Sequence, residues 1–226
     1  MTLALKALAF LVITFLYFAL IMFLAAGTLA WPAAWIYLIL LCGWCLIGII
    51  LLLKYNPGLL EERLNLSQQN QKTWDKVILV LFQLFILVWT VLISLDAVRF
   101  HWSRMPLAFQ AVGAVAMVVS FFILSLVFRE NSFLSGAVRI QEERGHTVVS
   151  TGPYHYVRHP MYVGGILLFL SIPLLLGSWY GLLAILLFTP VFLVRAVLEE
   201  RTLRKELPGY DAYMAQVKYR LIPHVW

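Results

Sequence analysis

The sequence predicts an all-α, polytopic transmembrane helical bundle of about six spans, arranged as three hairpins, with a cytoplasmic helical segment at its C-terminal end. Three observations carry this. Of the 226 residues, 62% are hydrophobic and only 12% are charged, whereas a soluble domain carries about a quarter charged residues. The apolar residues fall in long uncharged runs, each near the ~20 residues that cross a bilayer as a helix. The basic residues are also segregated. With spans alternating from a cytoplasmic N-terminus, 15 of the 17 Lys and Arg fall on one side, and Arg99 and Arg104 fall on the other. Membrane proteins orient by this bias, basic side inward, so both termini are expected in the cytoplasm.

The first run is Ala7–Ala26. A single Lys precedes it, as in a secretory signal, but the run exceeds the 7–15-residue core of a signal. It also leads through a short turn, Gly27–Ala30, into the second run, Trp31–Leu53, so a retained span is expected. Cys42 and Cys45 lie mid-span in CGWC. Two thiols without partner His or Cys do not complete a four-ligand zinc site, so they read as packing residues and no metal is expected. The loop 54–76 contains NPGLLEERLN. Its LLEERL has helical spacing and is expected along the inner membrane surface, followed by a Gln/Asn-rich turn. Val77–Leu95 and Pro106–Phe128, joined by the outer loop Asp96–Met105, form the second hairpin. Residues 1–128 thus read as a four-span scaffold.

Residues 129–226 read as the catalytic region: a polar segment, a hairpin over 160–194 and a cytoplasmic tail. Val-Arg-Ile-Gln (138–141) suits a short strand or an extended piece. Pro160–Val194 has no charged side chain and is too long for one span; Gly177 and Ser178 divide it, and Pro173 and Pro190 are candidate kinks. Arg195–Leu207 should continue the sixth span as a helix that stops at Pro208-Gly209. Tyr210–Tyr219 reads as a further short helix.

Two polar clusters lie at the ends of this hairpin, which must bring them together. One is GPYHYVRHPMYVGG (152–165). Pro160 suits a first helical position, where a missing amide is harmless. The amides near Tyr162 and Val163 would then be free to accept an anion, and Gly164 and Gly165 permit close approach. The other cluster contains Arg195, Glu199 and Glu200. Arg195 and Glu199 share a helical face and are candidates for an i,i+4 ion pair, whereas Glu200 points about 100° away, toward another partner. For any one of these residues, anchoring at the headgroups is the plainer explanation; their density argues for a site. The formal charge of +6 is explained by inner loops beside anionic lipid, and no nucleic-acid-binding motif accompanies it. Charges at span ends also argue against a transporter, which places them at mid-membrane.

RHPMYVG, the Glu199–Glu200 pair, Leu203, Tyr210 and Tyr213, and YRLIP (219–223) together resemble the isoprenylcysteine carboxyl methyltransferase and phospholipid methyltransferase superfamily of integral membrane enzymes. The likeness covers roughly the last 80 residues; NPGLLEERL and Trp74-Asp75 look like bacterial members. The resemblance implies S-adenosyl-L-methionine as methyl donor, bound at the cytoplasmic side by the two motifs together. It implies His159, Pro160, Tyr162, Gly164, Glu199, Glu200, Tyr213, Arg220 and Pro223 as the donor pocket. The acceptor is then a prenylated or other amphipathic small molecule in the bilayer. If that acceptor is a carboxylate, Arg195 or Arg158 can hold it through two parallel hydrogen bonds. If it is an amine, a base such as Glu199 or His155 must first take a proton. The same hairpin also resembles sterol-type membrane reductases, which use NADPH; the short tail argues against so large a cofactor.

Overall fold

The computed structural model describes residues 2–65 and 71–226, and the expected Gln/Asn-rich turn lies outside them. Eight α-helices order these residues: α1 (Leu3–Ala26), α2 (Pro32–Tyr55), α3 (Pro57–Leu64), α4 (Thr73–Ser94), α5 (Leu107–Glu130), α6 (Pro160–Leu176), α7 (Trp179–Glu206) and α8 (Tyr210–Gln216). No strand occurs among them, and 138–141 is irregular chain. Local chemistry sets the boundaries. The side chains of Thr2, Asn56 and Ser178 accept from the first free amides of α1, α3 and α7, as N-caps do. Gly27 and Gly177 end α1 and α6 at positive φ, which suits glycine.

Five of these helices are long and apolar enough to cross a membrane, and the protein is a multi-pass membrane protein. Helix α6 is shorter, with 17 residues, which is about 25 Å of rise. Its end nevertheless reaches the far side of the bundle, where the α6–α7 turn meets the end of α4. Ser178 Oγ donates to Asp96 there at 2.6 Å. A π-helical turn, Leu95–Arg99, carries Asp96 inward. The carboxylate is fully buried and also accepts from the amide and hydroxyl of Ser103, each at 2.7 Å.

The packing of the spans corrects one expectation. Consecutive helices α4 and α5 do not pair as a hairpin: α4 packs on α1 and α7, while α5 packs most extensively on α6. Small residues explain the close α5–α6 approach. A Cβ on Gly113 would lie 2.3 Å from the backbone nitrogen of Leu175, and Ser120 Oγ donates to the carbonyl of Gly164 at 2.7 Å. Helices in lipid associate by such backbone approach. Between α4, α6 and α7 an aromatic cluster fills the interior, with Phe85 stacked on Phe188 at 3.9 Å and Trp89 donating to the Gly181 carbonyl at 2.7 Å.

Helix α3 packs against α1 and α2, with Leu59 and Leu60 buried and Glu62 paired with Arg139 at 2.9 Å. Leu59 thereby joins Val127, Leu134, Tyr154, Leu207, Tyr210, Tyr213 and Val217 in a second hydrophobic cluster, which forms the floor beneath the polar face.

Candidate functional site

The 152–165 motif and the tail are joined by backbone. The amides of Arg158 and His159 donate to the carbonyls of Tyr219 and Arg220, both at 2.9 Å. Side chains reinforce this. Buried Glu200 accepts from Arg158 Nε at 2.9 Å and from Arg220 Nη2 at 3.0 Å. Arg158 Nη1 donates on to the carbonyls of Val217 and Lys218 at 2.8 and 2.7 Å. Arg220 also lies over the Trp226 ring at 5.0 Å. Arg158, Glu200 and Arg220 therefore form a clamp that fastens the tail to the α6–α7 hairpin. His159 Nε2 stands 3.6 Å from Glu200, within ion-pair range but beyond hydrogen-bonding distance.

A second polar chain runs through the inner face. Asp75, fully buried in the first turn of α4, accepts from Arg195 Nε at 2.8 Å, from the Val138 amide at 2.8 Å and from Gln71 Nε2 at 3.0 Å. Arg195 Nη1 donates to the Tyr162 hydroxyl at 3.0 Å and Nη2 to the Gly136 carbonyl at 2.9 Å. The Tyr162 hydroxyl donates to Glu199 at 2.7 Å. The expected direct Arg195–Glu199 pair is thus replaced: Tyr162 stands between them, and Asp75 is the ion-pair partner of Arg195. The physical reason is that the Arg195 side chain reaches across to α4 instead of along its own helix. The amides of Tyr162 and Val163 are likewise not free, since both donate to the His159 carbonyl, at 3.0 and 3.4 Å.

These two networks wall a cavity of about 100 Å³ that opens at its mouth. Phe133, His146 and Val148 line it from the polar segment, His159, Met161 and Tyr162 from the start of α6, Arg195, Glu199 and Leu203 from α7, and Tyr210 and Tyr213 from α8. The buried hydroxyls of Tyr154, Tyr210 and Tyr213 are pushed well above the ordinary tyrosine range by desolvation, so they stay protonated. Tyr213 donates to the Tyr154 carbonyl at 2.7 Å, and Asn131 donates to the Tyr154 hydroxyl at 2.8 Å. The Tyr210 hydroxyl and His159 Nε2 are buried without a hydrogen-bond partner among the described residues.

Of the residues expected at the site, Arg158, His159, Tyr162, Arg195, Glu199 and Tyr213 line the cavity. Glu200 and Arg220 stand behind it in the clamp. Pro160 opens α6, and Gly164 is turned toward α5, where a Cβ would meet Leu124 at 2.8 Å. Pro223 is exposed in the tail. Sequence reasoning did not assign Asp75 or the Glu62–Arg139 pair to the site. A charged residue in the first turn of an apolar span was the available signal, because such a group needs a partner.

Fold and site define a multi-pass membrane protein with a polar, aromatic-lined cavity at one end of its bundle. The comparison with known families agrees with the motifs: residues 108–208 match the family model for phospholipid methyltransferase. That family is part of the superfamily of phospholipid and isoprenylcysteine carboxyl methyltransferases, membrane methyltransferases to which the chain is similar over these residues. No curated protein matches the chain.

Proposed function

We propose that this protein transfers a methyl group from S-adenosyl-L-methionine to a lipid-like acceptor at the cytoplasmic membrane face, with the carboxylate of a prenylcysteine-like or other amphipathic acid as the favoured acceptor. The observation that supports this most is the cavity itself. Its lining joins aromatic side chains, Glu199, and Tyr210 and His159, each of which has a buried polar atom that makes no hydrogen bond among the described residues. Those features fit the donor. Tyr210 and Tyr213 offer ring faces to an adenine, and Glu199 offers negative charge to an amino or sulfonium group. When bound, the donor supplies an electrophilic methyl group on a sulfonium.

The chain's own task is placement. In-line transfer needs the nucleophile about 3 Å from the methyl carbon. A carboxylate acceptor is already anionic and needs no base. Arg195 acts as a positioning residue, since its three-way bonding to Asp75, Tyr162 and Gly136 holds Tyr162 on Glu199. Arg158 likewise holds the tail that closes the cavity. One observation favours a second reading, N-methylation of a headgroup amine. Glu199 uses one carboxylate oxygen on Tyr162, and the other takes no bond among the described residues, so it is free to accept a proton. The name of the matched family points to phospholipids in the same way.

Calorimetry with S-adenosylhomocysteine tests the donor assignment. Glu199→Gln and His159→Ala should each weaken binding by ~10-fold or more, while Cys42→Ala leaves it unchanged. S-adenosylhomocysteine should raise the melting temperature and NADPH should not. Unchanged affinity in both folded site variants removes the pocket assignment. A labelled methyl on a farnesylcysteine derivative or on phosphatidylethanolamine then separates the carboxyl from the amine reading.

A further inference from the structure

Beyond α8 the tail closes on itself. The backbone oxygen of Trp226 accepts from the amides of Arg220, Leu221 and Ile222 at 2.9, 3.0 and 3.2 Å, and the amides of Val225 and Trp226 donate to the Ile222 carbonyl at 3.2 and 3.1 Å. Pro223 has no amide to satisfy. The Tyr219 hydroxyl and His224 Nδ1, 3.0 Å apart, brace the turn. Lipid offers an unpaired amide no partner, so a loop that bonds its own amides suits that surrounding. Its apolar side chains nevertheless point outward: Ile222 is 55% and Val225 75% exposed. Two such residues in one short turn form a patch of the kind that marks a membrane contact.

The neighbours of this loop place it beside the spans. Leu221 and Trp226 pack with Val163 and Ile166 of α6 and with Phe192 and Leu193 of α7. All four of those partners belong to the uncharged stretch 160–194, and Val194, which ends it, is itself exposed. The patch is therefore continuous with the lipid-facing sides of two membrane helices. Exposed Lys218 precedes it, and Lys, Tyr and Trp are the side chains that settle at the membrane–water boundary. We propose that the turn 222–225 docks into the headgroup layer of the leaflet on the cavity side, with the lipid itself as its partner, and so holds the tail in place. This contact goes beyond the methyl-transfer reading and does not depend on it. Its effect reaches the cavity, because Tyr219 and Arg220, just before the turn, hold the amides of Arg158 and His159.

The test uses the full chain in nanodiscs of phosphatidylcholine and phosphatidylglycerol. Ile222→Cys, in a background of Cys42→Ala and Cys45→Ala, carries a polarity-sensitive fluorophore. The control is Lys205→Cys, exposed on α7 and about 16 Å of helical rise beyond Val194. The label at 222 should emit at shorter wavelength than the label at 205, be quenched by a lipid with a nitroxide just below its headgroup, and be shielded from iodide. The label at 205 should be quenched by iodide and not by the nitroxide lipid. Trypsin, which cuts after Lys218, should release the tail faster from the double variant Ile222→Ser, Val225→Ser than from wild type. Docking is overturned if the label at 222 behaves like the label at 205, and the holding role is overturned if the tail is released at the same rate. If Ile222→Cys does not fold, Val225→Cys answers the same question. None of these readouts involves S-adenosylhomocysteine, so their failure leaves the donor assignment to its own calorimetry.

Discussion

Asp75 holds together parts of the chain that are remote in sequence. Its carboxylate receives Arg195, 120 positions later, and the amide of Val138, so one buried group fixes α4, α7 and the polar segment relative to one another. Removing one partner of a buried ion pair leaves the other charge uncompensated and destabilises by ~3–5 kcal/mol. Asp75→Asn is therefore expected to lower the melting temperature in detergent sharply, whereas Glu143→Gln, at an exposed partner of Arg139, changes it little. Arg195→Lys keeps the charge but not the planar fork, so it cannot serve Asp75, Tyr162 and Gly136 together. We expect turnover to fall more than ~10-fold in that variant. If Arg195→Lys leaves turnover at saturating donor intact, the positioning role is wrong.

At the scale of elements, the α5–α6 contact gives a sharp contrast. Gly113→Ala places a Cβ 2.3 Å from Leu175 N and 2.8 Å from the Leu174 carbonyl carbon, both backbone atoms that cannot rotate away. It should destabilise by at least the ~1–3 kcal/mol of an overpacked core. Gly48→Ala, in α2, meets nothing within 4 Å and should be neutral or slightly stabilising, since alanine favours helix over glycine. Melting curves of the two variants decide this. The polar segment offers a pH readout. His146 stacks on Phe133 at 4.6 Å, and its Nδ1 accepts from the Gln141 amide at 3.4 Å. Burial, then the charges of Arg139 and Arg144, lowers its pKa below the ordinary 6.5. A histidine with a lowered folded pKa stabilises above the unfolded value, and that contribution is lost as pH falls through the folded value. Wild type should lose melting temperature below about pH 6.5, and His146→Gln should flatten that part of the profile. The helices themselves were legible in the sequence because uncharged runs and the Gly177–Ser178 break mark span lengths directly. The joining of the two motifs was legible because a hairpin must return its ends. What α3 packs on, and the separation of α4 from α5, were not. An apolar stripe with no polar mark fits any apolar neighbour, and small residues such as Gly113 declare a contact without naming the partner.

For the whole molecule, the two ends of the bundle differ in kind. One end carries the cavity, the clamp and the Lys72–Glu206 pair at 2.7 Å. The other carries the buried Asp96 knot with Ser103 and Ser178, beside which Arg99 ends the π-helical turn and Arg104 lies in the loop to α5. All remaining Lys and Arg except Lys6 fall in the segments that meet at the cavity end. Lys6, at the start of α1, should share that end if the spans alternate. The positive-inside bias therefore predicts that the cavity faces the cytoplasm, where a soluble donor is available, and that both termini lie there too. The check is single-cysteine labelling in a background of Cys42→Ala and Cys45→Ala, with a membrane-impermeant maleimide added to intact cells. Thr2→Cys and Val225→Cys should react only after the cells are opened, and Trp102→Cys, exposed in the outer loop, should react at once. The inverse pattern would put the cavity on the wrong side for a cytoplasmic donor and would defeat the orientation. Labelling of one terminus alone from outside would mean that α6 does not complete a crossing, and the bundle would then have an odd number of spans.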